Sequence, residues 1–69
     1  MNKPQKFMRR RAVLECTGLS NSTMYEMMAG GRFPRPVRLS DRAVGWIACE
    51  IADWQSARIA EREAEREAV

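Results

Sequence analysis

Residues 17–31 read TGLSNSTMYEMMAGG, and this run decides the architecture. Gly18 stands where a helix ends on a residue free to take positive φ. Leu19 follows as an apolar anchor, and Ser20 has the short hydroxyl side chain that caps a new helix. A stop, a hydrophobic pin and a restart within four residues make the turn that joins two helices at a steep angle. The second helix then runs from its cap at Ser20 to Ala29. Met24, Met27 and Met28 fall at i, i+3 and i+4, which gives it one apolar face. Asn21, Ser22, Tyr25 and Glu26 fall elsewhere and point outward. Gly30-Gly31 ends it.

Working outward, Arg9 to Thr17 reads as a short first helix. Val13 and Cys16 face inward with Ala12 or Leu14, while Arg9, Arg10, Arg11 and Glu15 stay wet. Residues 1–7 have little periodicity and contain Pro4, which predicts a flexible, loosely extended lead-in, with Phe7 and Met8 closing over the core. After the glycines, Arg32-Phe33-Pro34-Arg35-Pro36 is kept extended by its two prolines. Val37-Arg38-Leu39 and Ala43-Val44-Gly45-Trp46 are short strands around the polar turn Ser40-Asp41-Arg42, a small β-hairpin over Phe33 and Trp46. A last helix starts near Ile47 or Ala48, with Ile47, Ile51, Trp54 and the stem of Arg58 on its inner side. Beyond Ile59 the run AEREAEREA has no apolar stripe and no heptads. Arg58–Glu61, Arg62–Glu65 and Glu63–Arg66 are its i, i+3 pairs. The chain thus divides into a flexible lead-in at 1–7, a folded domain at 8–59 and a charged, fraying helical extension at 60–69.

The 69 residues suffice for one domain. A chain of this size buries only about 60% of the surface its unfolded form exposes. No apolar run approaches the roughly 18 residues of a membrane span, and Met1–Lys6 lacks the apolar stretch of a secretory signal. A cytoplasmic location is expected. Cys16 and Cys49 are too few for a disulfide framework and lack CxxC spacing. With no histidine in the chain, a Cys/His metal site is excluded. Both cysteines read as small reduced hydrophobes in or near the core. The net charge of +3 hides a polarity: residues 1–46 carry nine basic and three acidic side chains, and residues 47–69 three basic and six acidic. Such a division draws a polyanion to the front of the chain and keeps it off the rear.

These residues make a poor enzyme. The commonest general base is absent, neither thiol has an activating partner, and no carboxylate pair sits in an apolar setting. No cofactor is called for. The inventory suits double-stranded DNA. A recognition helix must present short polar side chains near its N-terminus, because that end enters the major groove. Asn21, Ser22 and Thr23 occupy that stretch; Asn21 is the best candidate for an adenine edge, and Ser22 suits more than one base. Tyr25 can reach a phosphate or a thymine methyl. Arg32, Arg35, Arg38 and Arg42 recur through the hairpin region, where guanidinium groups can follow a backbone or enter the adjacent minor groove. Arg9, Arg10 and Arg11 open the first helix, where the helix dipole disfavours cations, so a phosphate partner explains them better than decoration.

The run VLECTGLSNSTMYEMMAGGRFPRPVRLSDRAVGWIACEIADW, residues 13–54, resembles the AlpA-type phage and prophage transcriptional regulators. Their pattern joins a TGLS-x-ST-x-Y helix-turn-helix to a G-x-FP-x-P-V hairpin, then R-A-V-G-W and an acidic-apolar-Trp helix. The resemblance implies a winged, MerR-like helix-turn-helix, mostly α with a small β-hairpin, related to excisionases. It implies a small transcription factor, often one controlling integrase expression or taking part in prophage excision. By position, Ser20, Ser22, Thr23 and Tyr25 match the family's recognition-helix motif, and Arg42 matches the Arg of its wing. Two positions depart: Glu26 stands where a basic residue is common, and Ser40-Asp41 replaces the more usual glycine-containing turn.

The expected function is sequence-specific DNA binding in transcriptional control. An architectural recombination factor would use the same surface. A protein-interaction module, such as an antitoxin or an integrase adaptor, is the reading from another class and rests on Trp54 and the acidic final helix. A domain this small contacts few base pairs, so tight specificity calls for a homodimer or cooperative neighbours on DNA.

Overall fold

The computed structural model describes residues 3–68, with side chains through Arg66. The elements in chain order are β1 (Phe7–Met8), α1 (Arg10–Thr17), α2 (Asn21–Ala29), β2 (Val37–Ser40), β3 (Ala43–Ile47) and α3 (Ala48–Ala68). Three helices thus surround one small antiparallel sheet of order β1-β3-β2, the winged helix-turn-helix arrangement.

The turn between α1 and α2 is built by local bonds. Gly18 adopts φ 75° and its N–H returns to the Leu14 carbonyl at 2.9 Å, which stops α1. Thr17 Oγ1 donates to the Val13 carbonyl at 2.8 Å and accepts from the Leu19 N–H at 3.4 Å. Ser20 Oγ accepts from the Thr23 N–H at 3.2 Å and donates to Thr23 Oγ1 at 2.8 Å, which starts α2. At the far end of α2, Gly31 takes φ 72°; its N–H reaches the Met28 carbonyl and the Arg32 N–H the Met27 carbonyl. That pair of bonds is a Schellman motif, and it needs the positive φ that glycine allows.

The core is made by Val13 of α1, Met24 and Met28 of α2, Phe33 of the connection after α2, Trp46 of β3 and Ile51 of α3. Met8, Leu14, Leu19, Met27 and Trp54 pack against it. The two indoles hold down the proline-rich connection. Trp46 Nε1 donates to the Pro34 carbonyl and Trp54 Nε1 to the Arg32 carbonyl, both at 3.0 Å. Phe33, buried between those two carbonyls in the chain, lies edge-on to Trp54 with ring centroids 5.0 Å apart. Gly45 lies at the middle of the sheet, where a Cβ would come 2.9 Å from Leu39 Cδ1 and 3.3 Å from both the Met8 oxygen and Phe7 Cβ.

Some expectations need correction. Cys16 and Cys49 are exposed, not core residues. The inner line of α1 runs through Val13, Leu14 and Thr17, and Ala12 and Cys16 fall off it; Cys49 lies on the side of α3 away from Ile51. Phe7 and Met8 form a third strand, paired as Phe7↔Ile47 and Met8↔Trp46, and the Lys6 carbonyl accepts from the Ala48 N–H. Met8 packs on the core as expected, but Phe7 lies on the outer face of the sheet and is exposed. Of the two starts open for the last helix, Ala48 holds, and Ile47 closes β3. In α3, Arg58 pairs with Glu61 and Arg66 with Glu63 at 4.0 Å, but Arg62 takes its neighbour Glu63 at 2.9 Å instead of Glu65. The lead-in at 1–7 and the extension at 60–69 run at their ends into residues 1, 2 and 69, which lie outside the described residues.

Candidate nucleic-acid interface

All twelve candidate side chains are exposed: Arg9, Arg10, Arg11, Ser20, Asn21, Ser22, Thr23, Tyr25, Arg32, Arg35, Arg38 and Arg42. Their roles separate once the bonds are traced. Ser20 and Thr23 are engaged with each other at the start of α2, so they hold the helix end in place. Asn21 and Ser22 belong to the first turn after that cap. Among the described residues no side-chain hydrogen bond to either is present, and both are free to meet a ligand.

Tyr25 is the meeting point of the surface. It lines a cleft of about 370 Å³ with Arg9, Arg10, Arg11, Arg42 and Val44. On its other side it lines a second hollow of about 550 Å³ with Met28, Ala29, Arg35 and Pro36. Segments distant in sequence therefore converge: the N-terminal end of α1, the exposed flank of α2 and the tip of the β2–β3 hairpin. Four guanidinium groups border the first cleft. Among the described residues the one ion pair they make is Arg11–Glu15 at 3.5 Å, between two well-exposed side chains, worth a few tenths of a kcal/mol. The first turn of α1 holds no acidic residue, and its N-cap Arg9 makes no side-chain capping bond. The positive end of the helix dipole thus adds to the cations rather than offsetting them.

The hairpin tip shows how the wing does without a glycine turn. No non-glycine residue among those described has positive φ, so Asp41-Arg42 is not a type I′ or II′ loop. The register runs Arg38↔Val44 and then Ser40↔Ala43, which leaves a bulge at Leu39 that takes up the extra residue. Arg38 braces this tip: Nε donates to the Ser40 carbonyl at 3.3 Å and a terminal nitrogen to the Asp41 carbonyl at 3.4 Å. The Arg42 N–H reaches Ser40 Oγ at 3.4 Å. Arg42 projects its side chain into the cleft border, whereas Arg38 is occupied at the turn. Arg32 stands apart from the cleft, its carbonyl held by Trp54 and its Nε beside Gly30. Sequence reasoning missed Val44, the apolar wall of the cleft, whose place comes from the fold, and the bracing role of Arg38, which is local but depends on the bulge that turns the Ser40 and Asp41 carbonyls toward it.

Among the described residues, no three His, Cys, Asp or Glu side chains are grouped to hold a metal. No helix among the described residues is long and apolar enough to cross a membrane.

The fold and this surface define a small winged helix-turn-helix protein, and the chain belongs to the phage AlpA family, described as the prophage CP4-57 regulatory protein (AlpA), whose pattern matches residues 6–59. It is 40% identical over 58 residues to the uncharacterized protein ORF88 of Enterobacteria phage P4, covering 84% of this chain and 66% of that one. It is 32% identical over 59 residues to the DNA-binding transcriptional activator AlpA of Escherichia coli K12, covering 77% of this chain and 84% of that one. The matched region holds both the α1–α2 turn and the wing.

Proposed function

We propose that this chain is a transcription regulator of the phage and prophage type that binds double-stranded DNA in a sequence-specific way, without enzymatic activity of its own. The observation that carries this reading is the cleft in which Arg9, Arg10 and Arg11, Tyr25 and Arg42 converge beside the exposed N-terminal turn of α2. Helix α2, from Ser20 to Ala29, enters the major groove with Asn21 and Ser22 toward base edges. The arginines of α1 and Arg42 take phosphates on either side, and Arg35 extends the basic surface past Tyr25. Arg38 acts chiefly by holding the wing tip that presents Arg42 to the backbone or the minor groove. Family membership and the DNA-binding activator among the relatives support the same reading. Two copies, or cooperative neighbours, supply the specificity that one small domain lacks.

The test is an anisotropy titration against a duplex selected from a random pool and against unrelated duplex, at several salt concentrations. One preferred site is expected, with log K falling against log salt at a slope of roughly −4.5 to −5.5 for five or six neutralised phosphates. Equal binding to every sequence would remove the sequence-specific part of the proposal, and no binding at low salt would remove all of it.

A further inference from the structure

Glu26 is the unexplained charge of this surface. It is exposed on α2, and among the described residues no cation lies within ion-pair distance of it, although Arg9, Arg10, Arg11 and Arg42 gather beside the same helix. At about 100° per residue, Ser22, Glu26 and Ala29 fall opposite the buried Met24 and Met28. Glu26 therefore stands on the outermost line of the helix, one turn after Ser22. Asn21 and Tyr25 lie on the flank that turns toward the cleft. A carboxylate on that outermost line has no donor to offer a phosphate and is repelled by one. On a helix seated in the major groove, that line faces the floor of the groove, where the bases are.

Only one base presents an edge that suits a lone carboxylate there. Guanine shows two acceptors, thymine an acceptor and a methyl group, and adenine sets its N7 acceptor beside the N6 donor. Cytosine shows the N4 donor without a competing acceptor. We infer that Glu26 is a specificity-determining residue that accepts a hydrogen bond from the N4 amino group of a cytosine in the major groove. The inference rests on the DNA-binding reading above and deepens it by naming a base that the site must contain. The spacing adds a constraint. Ser22 and Glu26 are separated by about 6 Å along the helix axis, close to two base steps of roughly 3.4 Å each, so the cytosine lies about two base pairs from the base that Ser22 approaches.

The experiment is selection of bound duplexes from a random pool with the full chain and with Glu26→Gln and Glu26→Ala. Circular dichroism and thermal melting serve as folding controls for these exposed substitutions. The wild-type chain is expected to select a motif with a required cytosine. Glu26→Gln should alter that column alone, toward adenine, whose N6 and N7 suit an amide. Glu26→Ala should flatten it. Affinity of either variant for the wild-type site should fall roughly 5- to 150-fold, while affinity for unrelated duplex rises, because a carboxylate without its amino partner is desolvated in a negatively charged groove and its removal relieves that cost. If both variants select the wild-type motif unchanged and bind all duplexes more tightly by one common factor, Glu26 merely repels the backbone and the inference is overturned. A changed column that is not cytosine in the wild-type motif also overturns it. If the wild-type chain selects no motif, the DNA-site reading beneath it fails first, which is a distinguishable result.

Discussion

Arginine appears in groups at both ends of this molecule, in opposite circumstances. Arg58, Arg62 and Arg66 on α3 each have a glutamate of the same helix as partner, and Arg58 also lies 5.9 Å from the Trp54 ring centre. Arg9, Arg10 and Arg42 have no carboxylate partner among the described residues and border one cleft. The packing is distributed the other way. The end with unpaired charge rests on Trp46, Met24 and Val13, all fully buried, while the side chains of α3 from Ile59 to Arg66 are exposed. Charges balanced within their own helix ask for nothing from outside. Cations held unbalanced on a rigid core form a surface whose partner is another molecule.

The contrast in packing should give the largest effect. Trp46→Ala removes the largest fully buried side chain and the bond to the Pro34 carbonyl. A loss of about 3–5 kcal/mol is expected, enough to leave a domain of this size largely unfolded in a thermal melt. Ile59→Ala, at a position 52% exposed, should shift stability by less than about 0.5 kcal/mol. Comparable losses from the two would mean that the rear of α3 packs on something, and the comparison would break.

The contrast in charge comes next. Replacing Arg9, Arg10 and Arg42 together with Ala should weaken DNA binding on the order of a hundred-fold at moderate salt. The salt slope should become shallower by about 2.7, at roughly 0.9 for each phosphate left without its arginine. The same replacement of Arg58, Arg62 and Arg66 should leave the slope unchanged. If both triple variants lose affinity alike, net charge alone governs binding and the cleft has no special standing.

A smaller effect is expected where the two properties meet. Ser20→Ala removes the cap that sets the start of α2 and should cost about 1 kcal/mol of stability. DNA affinity should fall at the selected site more than on unrelated duplex, because the cap orients Asn21 and Ser22 rather than neutralising a phosphate. A uniform loss across sequences would assign Ser20 to backbone contact instead.

The local features were legible in the sequence, and the reason is that each depends on a few adjacent residues. Gly18 at positive φ, Gly30-Gly31 as the end of α2, Ser20 as the cap and the methionine face of α2 follow from backbone freedom, hydroxyl geometry and helical period. The hairpin and the burial of Phe33 and Trp46 follow from prolines, a polar turn and alternation. Part of what escaped depends on residues brought together from afar, and part on local geometry that residue type does not reveal. A strand as short as Phe7–Met8 exists because Ile47 and Trp46 lie beside it, and no local propensity encodes that. Cysteine is apolar enough to suggest burial, but Cys16 and Cys49 take their exposure from helical phase. The candidate arginines could be read off the chain; which of them share a cleft required the placing of α1, α2 and the hairpin together, and that Arg38 is occupied required the backbone geometry of the bulged tip.

The smallest effect is also the most direct test of the rear half. Ending the chain at Ala60 removes four acidic and two basic residues and deprives Arg58 of its partner Glu61, leaving it over Trp54. Among the described residues no buried side chain is lost, and exposed helical ion pairs contribute only a few tenths of a kcal/mol each, so melting should change by less than about 0.5 kcal/mol. The shortened chain carries two more units of positive charge. Its association with DNA should therefore quicken about two- to threefold at low salt and match the full chain at high salt, since the gain is long-range attraction that ions screen. A fall in affinity, or a change in the number of copies bound per site, would show that residues 61–69 touch a neighbouring protein on the DNA. The paired arginines would then belong to an interface, and pairing within a helix would no longer mark a surface that asks for nothing.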